Sequence, residues 1–368
     1  MEKYRNVVIV PYSELLADTR GLSYHKGGPI WPDWSKAEGS RHCKGGKAVD
    51  DIPDAASNQA LITKEDRELA WCGPIVFHFG HQIADFSTRI PLYTGSDYVL
   101  CFAVPLESRL QYSWAPDFFR QMLEYFGVPE ERVLVVNRPI LASTLYCAPQ
   151  QEQLGTNLSP EIPPSNEYLE LLDSFSEKLK SREKKKYFFS RAAQTKGVVA
   201  GEACLESVFS AAGYEVVRPE EHSLLDQLCF YMNASTLVFT EGSALHGLQL
   251  LGHVDADLHV LVRRPGREMG RTLLSPRVRS IHYHEVGALM HSQDSRASDG
   301  LVPSLRLVVN VLRELEIPFT SFPFSKFLDQ VLKDCASWKG MNISTDEVLD
   351  VYFGKPSKFS GRENVVPE

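Results

Sequence analysis

No stretch of this chain is apolar for long enough to cross a bilayer. The first hydrophobic run, Val7-Val-Ile-Val10, falls far short of a signal-peptide core or a membrane span. Cysteine is scattered: seven thiols, at positions 43, 72, 101, 147, 204, 229 and 335, are odd in number and form no C-x-x-C pair. That excludes a disulfide framework and a zinc knuckle and makes a reduced compartment the expected one. With no secretion signal, the Asn-x-Ser triplets at Asn157, Asn233 and Asn342 read as coincidence, and the cytoplasm is the expected location. Positive charge is in deficit. Lys and Arg number 39 against 47 Asp and Glu, a formal net charge of -8, so the bulk surface would repel a phosphate polymer and no nucleic-acid partner is expected. A local anion site stays open. There is no internal repeat of about 20 to 50 residues, no G-x-G-x-x-G, no P-loop, no lipase-type G-x-S-x-G, no H-E-x-x-H and no kinase set.

What is present is an ordinary globular composition, 43% hydrophobic, 10% aromatic and 23% charged over 368 residues, enough for two full-sized cores. Val7 to Val10 reads as a first strand. Residues 18 to 65, rich in Gly, Pro, Ser, Asp and Lys, show no sustained period and read as a long loop-rich excursion. Trp31 and Trp34 within it read as anchors for the loop, with sugar stacking as the alternative. Tyr98 to Pro105 is a continuous apolar strand, Asp117 to Phe126 a helix closed by Gly127, and Arg132-Val-Leu-Val-Val136 a second strand. Strand, helix and strand at this spacing predict a parallel βαβ unit.

Residues 148 to 166 lack a pattern and read as an interdomain connection. The helix that follows ends in the basic run Lys178 to Lys186, a solvated face by default. Then comes the clearest alternation: strand Tyr187 to Ser190, helix Glu202 to Ala212, strand Tyr214 to Val217, helix Leu224 to Met232, strand Leu237 to Thr240, helix Ala244 to Leu251, strand Leu258 to Val262. This is a second α/β domain with a mostly parallel sheet. Beyond residue 300 the pattern turns helical, with Leu305 to Leu315 and Phe324 to Leu332 amphipathic. Two α/β domains should leave a cleft between them.

Three segments carry candidate chemistry. Wound on a helix, residues 77 to 90 put Phe79, Ile83, Phe86 and Ile90 on one face and His78, His81, Asp85 and Arg89 on another. An Asp within reach of two imidazoles suits a general base, and a hydrogen-bonded polar cap on an amphipathic helix is the competing reading. The second segment, Leu237 to Leu251, reads strand, tight turn, helix. It aims free N–H groups at the carboxyl edge of a parallel sheet, where anions bind. There Gly242 admits a ligand to the backbone, Ser243 caps the helix or donates to phosphate, and Glu241 could accept from a sugar hydroxyl. The third is Ser190-Arg191 at a strand end, followed by Lys196, a guanidinium and an ammonium suited to a diphosphate or to a surface ion pair. Asp255-Ala-Asp257 matches a cation-holding D-x-D but reads better as turn residues before a strand. His282-Tyr-His284 lacks a third metal ligand.

Taken together and in order, these segments resemble glycosyltransferase family 61, sugar transferases that include plant xylan transferases, an extracellular O-GlcNAc transferase and many bacterial capsule proteins. The likeness lies in His78-Phe-Gly-His-Gln-Ile-Ala-Asp85, Tyr187-Phe-Phe-Ser-Arg191, Gly213-Tyr-Glu-Val-Val-Arg-Pro-Glu220 with Gln227, and Glu241-Gly-Ser-Ala-Leu-His-Gly247. Glu241 stands where His is usual and Gly247 where Asn is usual, while His246 is additional. The resemblance implies an α/β fold of two Rossmann-like domains facing a cleft (GT-B-like) with C-terminal helices. The expected division is an acceptor-side domain over 1–160, a donor domain over 166–290 and helices over 300–368 packing on both.

It also implies an inverting transfer from a nucleotide-sugar donor to an oligosaccharide or polysaccharide acceptor, in surface or capsular polysaccharide synthesis, with no cofactor and no obligatory metal. Asp85 is the expected base, with His81 and His78 as the other candidates. Ser190, Arg191, Lys196, Glu241, Gly242, Ser243 and His246 are the expected donor contacts. Peripheral membrane association and oligomeric state stay open. The rival readings are a nucleotide-sugar isomerase or hydrolase and a non-catalytic carbohydrate-binding or scaffolding subunit of polysaccharide assembly.

Overall fold

The computed structural model of the protein describes residues 1–12, 27–44, 47–48, 62–104, 112–155, 160–290, 299–319, 322–338 and 343–354. Much of the 18–65 excursion, Pro105, the triplets at Asn157 and Asn342, and the end of the 300–368 region lie outside the described residues.

The N-terminal half holds strands β1 (Glu2–Val10), β2 (Gly28–Pro29), β3 (Cys43–Lys44), β4 (Lys47–Ala48), β5 (Thr63–Pro74), β6 (Val99–Ala103), β7 (Val133–Val136) and β8 (Ile140–Cys147). Six of them form one sheet in the order β2-β1-β8-β5-β6-β7, and β3 with β4 makes a small antiparallel pair. The sheet is mixed. β5 runs parallel to β6 and β8, and β6 parallel to β7, while β1 lies antiparallel to β8. Every residue of β6 is buried, as a strand covered on both faces must be. After the three-residue α1 (Phe79–His81), α2 (Asp117–Tyr125) joins β6 to β7, so the expected parallel βαβ unit is formed. Gly127, at φ +71°, ends α2 in the left-handed conformation that a side chain resists. In the excursion Trp31 is buried with its ring 4.9 Å from that of Tyr4, and the Arg41 guanidinium lies 5.0 Å over the Trp34 ring. Both tryptophans therefore act as anchors.

The second sheet is wholly parallel: β9 (Lys185–Phe189), β10 (Tyr214–Val217), β11 (Ala234–Thr240), β12 (Val254–Val262) and β13 (Val278–Glu285), in the order β10-β9-β11-β12-β13. Helices α3 (Asn166–Ser176), α4 (Glu202–Ala211), α5 (Leu224–Met232) and α6 (Arg271–Leu274) accompany it. α5 carries a capping box in which Ser223 and Asp226 satisfy each other's backbone N–H groups.

Two local expectations change. Residues Ser243–Leu250 wind as a 3₁₀ helix and not as an α-helix. The Tyr231 hydroxyl donates to the Ala244 carbonyl at 3.0 Å, competing for the acceptor an α-helical turn would use, and Gly247 is pressed onto the Tyr231 ring. Asp255 and Asp257 lie inside β12, not in a turn before it, and their carboxylates are held by Arg279 and Lys184.

The C-terminal region adds a hairpin the sequence did not announce, β14 (Gly287–Met290) with β15 (Gly300–Pro303), then α7 (Leu305–Glu314), α8 (Phe324–Ser337) and α9 (Thr345–Tyr352). Val308, Leu312, Phe327, Val331 and Val351 from these helices share a core with Phe188, Val238 and Leu261 of the second sheet. The opposite face of that sheet, with Phe189, Leu237 and Phe239, belongs to a core that continues into Phe102, Phe119 and Met122 of the first half. α2 touches α5 along this seam, and Gln121 accepts the backbone N–H of Leu224 at 2.6 Å. One half thereby satisfies an orphan N–H in the first turn of the other half's helix.

Candidate active site

Residues 77 to 90 do not form one continuous amphipathic helix. α1 passes into a π turn at Gln82–Phe86, the chain breaks at Ser87, and a 3₁₀ turn follows at Ile90–Tyr93. Gln82 folds back to accept from Val76 N at 2.6 Å, and the Ser87 hydroxyl donates to the Gln82 carbonyl at 2.7 Å, which ends the helical ladder. His81 and Asp85 keep their one-turn adjacency, with Nδ1 to Oδ2 at 3.0 Å. Arg89 is swung away. It is fully buried, donating to the Arg41 carbonyl at 2.9 Å and lying 2.9 Å from His42 Nδ1, so it stands apart from the imidazoles expected beside it. His78 caps α1 through Nδ1, which lies 3.5 Å from the backbone N of His81, and its ring sits 4.7 Å from the His81 ring. A π turn at such a place is a frequent mark of function.

The His81 ring is 22% exposed while the Asp85 side chain is at 0%. Asp85 Oδ1 has no hydrogen-bond partner among the described residues. A carboxylate on Nδ1 fixes the proton there and leaves Nε2 as the acceptor.

Facing Nε2 at 3.4 Å is the ammonium of Lys44, a residue that sequence reasoning missed. Gln150 holds it in place: the amide exchanges hydrogen bonds with the backbone of Cys43 at 2.6 and 3.0 Å and donates to the Asp85 carbonyl at 2.6 Å. Burial lowers the Lys44 pKa to about 8, the charge of Asp85 acting the other way. Lys44 sits in the aperiodic excursion, where no spacing could have singled it out.

The second half meets this group directly, for α1 packs on the 243–250 turn. A Cβ on Gly80 would come within 3.0 Å of His246 Cδ2 and 3.2 Å of Ser243 Cβ, so only glycine permits the approach without displacing a neighbour. His246 is buried with Nδ1 2.8 Å from Gln249 Oε1, and burial lowers its pKa to about 4, keeping it neutral. The structure thus gathers His78, His81, Asp85, Ser243 and His246 from two distant parts of the sequence.

The remaining expected donor contacts divide. Arg191 donates through Nη2 to the Lys196 carbonyl at 2.9 Å and packs against Gly242, whose φ of -174° is ordinary extended backbone. Gly242 is needed for room, not for its φ. The Lys196 side chain is exposed and makes no hydrogen bond or ion pair among the described residues. Ser190 is buried, its hydroxyl donating to Glu202 at 3.3 Å and accepting from Ala192 N at 3.1 Å. Glu241 is occupied: its carboxylate accepts from Arg263 N at 2.8 Å, Arg264 N at 3.0 Å and Arg264 Nε at 2.7 Å, which leaves little capacity for a sugar hydroxyl. Arg263 and Arg264 are the other residues the sequence reading did not single out.

Between the halves lies a cavity of about 610 Å³, lined by Phe79, Phe118 and Gln121 on one side and Arg191, Gly242 and Ser243 on the other. That is ample for a mononucleotide-sized ligand. On the other edge of the second sheet His259, His282 and His284 stack, with His259 Nδ1 2.9 Å from His284 Nε2. Among the described residues no group of three or more His, Cys, Asp or Glu is placed to hold a metal ion.

Residues 79–251 match the model of the family described as Glycosyltransferase 61. That segment belongs to glycosyltransferase family 61. It takes in α1, His81, Asp85, Arg191 and the turn from Glu241 to His246, and leaves Lys44, His78 and Arg263 outside. The match over this segment supports glycosyltransferase activity and, with it, a sugar donor and an acceptor as substrates. No curated protein matches the sequence of the chain. No helix among the described residues is long and apolar enough to cross a membrane.

Proposed function

We propose that this family 61 protein is an inverting glycosyltransferase that moves a sugar from a nucleotide-sugar donor to a hydroxyl of an oligosaccharide or polysaccharide acceptor. The observation that carries the reading is the meeting of the His81–Asp85 pair with the Gly242–Ser243 turn across Gly80, that turn and the neighbouring Phe79 lining a cavity between two α/β halves. On this reading residues 1–160 are the acceptor-side domain and 166–290 the donor domain of a GT-B-like pair. Helices α7 to α9 buttress the second. A role in surface or capsular polysaccharide assembly in the cytoplasm rests on the family resemblance alone.

The transfer is a single displacement. The acceptor oxygen bonds to the anomeric carbon as the bond from that carbon to the diphosphate oxygen breaks. The bonding pair leaves with the nucleoside diphosphate. His81 Nε2 takes the acceptor proton, and Asp85, sealed behind the ring, holds the tautomer and stabilises the imidazolium, as the buried carboxylate does in a hydrolase triad. The sequence left Asp85 and His81 both open as the base; burial of Asp85 favours His81 as the group the acceptor reaches. Arg191 would offset charge on the leaving group, a contribution commonly worth about 3 kcal/mol per preorganised donor. Guanidinium charge at that end is what lets the reaction run without an obligatory metal.

The test is thermal stability of the full chain against UDP, GDP, CDP, ADP and CMP, each with and without a chelator. A ligand at about 100 times its dissociation constant adds roughly 2.7 kcal/mol to the folded state. One nucleotide raising the midpoint regardless of chelator supports the reading and names the donor base. Stabilisation by none puts the scaffold reading ahead, and release of free sugar with no acceptor needed would point to a hydrolase.

A further inference from the structure

Lys44 takes no part in the displacement itself, yet the chain fastens its strand beside the base residue by residue. Arg89, fully buried, donates to the Arg41 carbonyl at 2.9 Å and lies 2.9 Å from His42 Nδ1. His42 is buried against Gly73, at φ +98°, where a Cβ would collide with its ring. Gln150 then clamps the Cys43 backbone at both its N–H and its carbonyl and ties it to the Asp85 carbonyl. Three consecutive residues are thus locked in place, and the fourth reaches out with its ammonium 3.4 Å from His81 Nε2.

That ammonium is half-buried. Among the described residues His81 Nε2 is its hydrogen-bond partner and no carboxylate pairs with it. The negative charge that acts on it, Asp85, is sealed on the far side of the imidazole at Nδ1. The other imidazoles bring no counter-charge: burial lowers the pKa of His78, with His81 and Lys44 acting the same way, and lowers that of His246 to about 4. An ammonium offers donors only, and the Asp85 bond leaves Nε2 as the acceptor. In the resting protein Lys44 therefore occupies the atom that must take the acceptor's proton.

An acceptor hydroxyl has to replace Lys44 there. A neutral sugar would do so by leaving a half-buried ammonium without a partner, which is costly. A sugar with a carboxylate on the ring carbon next to the reacting hydroxyl removes the conflict. The carboxylate accepts a charge-assisted bond from Lys44, and the hydroxyl beside it donates to Nε2. The flexible four-carbon stem of a lysine allows the small swing this needs. One ammonium matches one negative charge, which favours a carboxylate over a phosphate dianion. The chain as a whole carries -8, so such recognition is local and owes nothing to long-range steering.

We propose that Lys44 selects an acidic acceptor: the sugar that receives the transferred residue is a uronic acid, its carboxylate paired with the Lys44 ammonium and its neighbouring hydroxyl set on His81 Nε2. The hydroxyl proton goes to Nε2 as before, and the carboxylate and ammonium keep their charges. This deepens the transferase reading above and rests on it for taking the bound glycan as the acceptor. Lys44 lies outside the segment that matches the family.

The experiment measures glycan binding by calorimetry and saturation-transfer NMR on the full-length protein. The probes are disaccharides paired to differ in one group at the non-reducing end: glucuronic acid against glucose, galacturonic acid against galactose and mannuronic acid against mannose, with glucose 6-sulfate and glucose 6-phosphate at that end as further arms. The parent is expected to bind the acid of one pair about tenfold or more tightly than its neutral partner. Lys44→Gln and Lys44→Met should each lose about tenfold on the acid and little on the neutral sugar, while Lys44→Arg, which keeps the charge, should retain most of the preference. A parent that prefers no acid over its neutral partner overturns the proposal without recourse to a variant. Parental preference in whichever of Lys44→Gln and Lys44→Met folds overturns it equally, and tighter binding of the sulfate or phosphate than of any uronic acid overturns the carboxylate. The two readings fail separately. Nucleotide binding with no acid preference sinks the acidic acceptor alone; a Lys44-dependent acid preference in a protein that binds no nucleotide keeps the acid site and sinks the transfer.

Discussion

His81 Nδ1 stands 3.0 Å from Asp85 Oδ2, with the imidazole 22% exposed and the carboxylate sealed from solvent. An acceptor hydroxyl can therefore meet the ring and not the acid behind it. His81→Ala is expected to lower turnover by about 10²- to 10⁴-fold, with a smaller effect on KM. Asp85→Asn keeps the shape but frees the ring to take the wrong tautomer, so it should lose a comparable factor, and the double variant should be little worse than either single one. Turnover in Asp85→Asn within a few-fold of the parent would remove the pair from the mechanism.

Lys44 gives a prediction with a definite sign. Its folded pKa of about 8 lies below the ordinary 10.5, chiefly through burial. Between those values the unfolded chain binds a proton that the native chain does not, so stability rises as the pH is raised through that window. Lys44→Met should flatten this rise without lowering the thermal midpoint at pH 7, as seen in urea unfolding from about pH 8 to 10. An unchanged slope would mean that the ammonium is not held out of water.

The second sheet was legible because its elements are regular. α5 was readable over Leu224–Met232 from its period, and β10 over Tyr214–Val217 from its apolar run. The site was legible where neighbours in sequence are neighbours in space, as with His81 and Asp85. It was not legible where a side chain is turned by tertiary contacts. Arg89 shares the helical phase of Asp85, yet a π turn and the break at Ser87 send it inward to His42. Glu241 looked free in a Gly-Ser turn, and only the structure shows that the residues after β12 fold back onto it. Lys44 reaches His81 through Gln150, a residue 106 positions further along the chain, and no local pattern records such a bond.

Glu241→Gln tests the buried pair of Glu241 with Arg264. The carboxylate is 1% exposed and satisfies one guanidinium and two backbone N–H groups. Replacing it leaves Arg264 without its counter-charge, a change expected to destabilise the fold by about 3 kcal/mol. Parental stability would show that the Arg264 pair is a surface contact of little consequence.

Glu202 behaves in the opposite sense to Lys44. It is buried beneath Ser190 and Arg191, and burial raises its folded pKa from 4.5 to about 7. Between those values the native chain holds a proton that the unfolded chain has released, so this group's contribution to stability is complete below pH 4.5 and is lost as the pH rises through about 7. Glu202→Gln keeps an oxygen to accept the Arg191 backbone N–H and removes the titration. At pH 8 the variant is expected to be more stable than the parent by up to about 3 kcal/mol, an upper limit set by roughly 1.4 kcal/mol for each unit of the shift. At pH 4.5 the advantage should vanish. Urea titrations of both proteins at the two pH values decide it, and a difference that does not change with pH would mean that Glu202 is ionised throughout, its charge balanced by Arg191 after all.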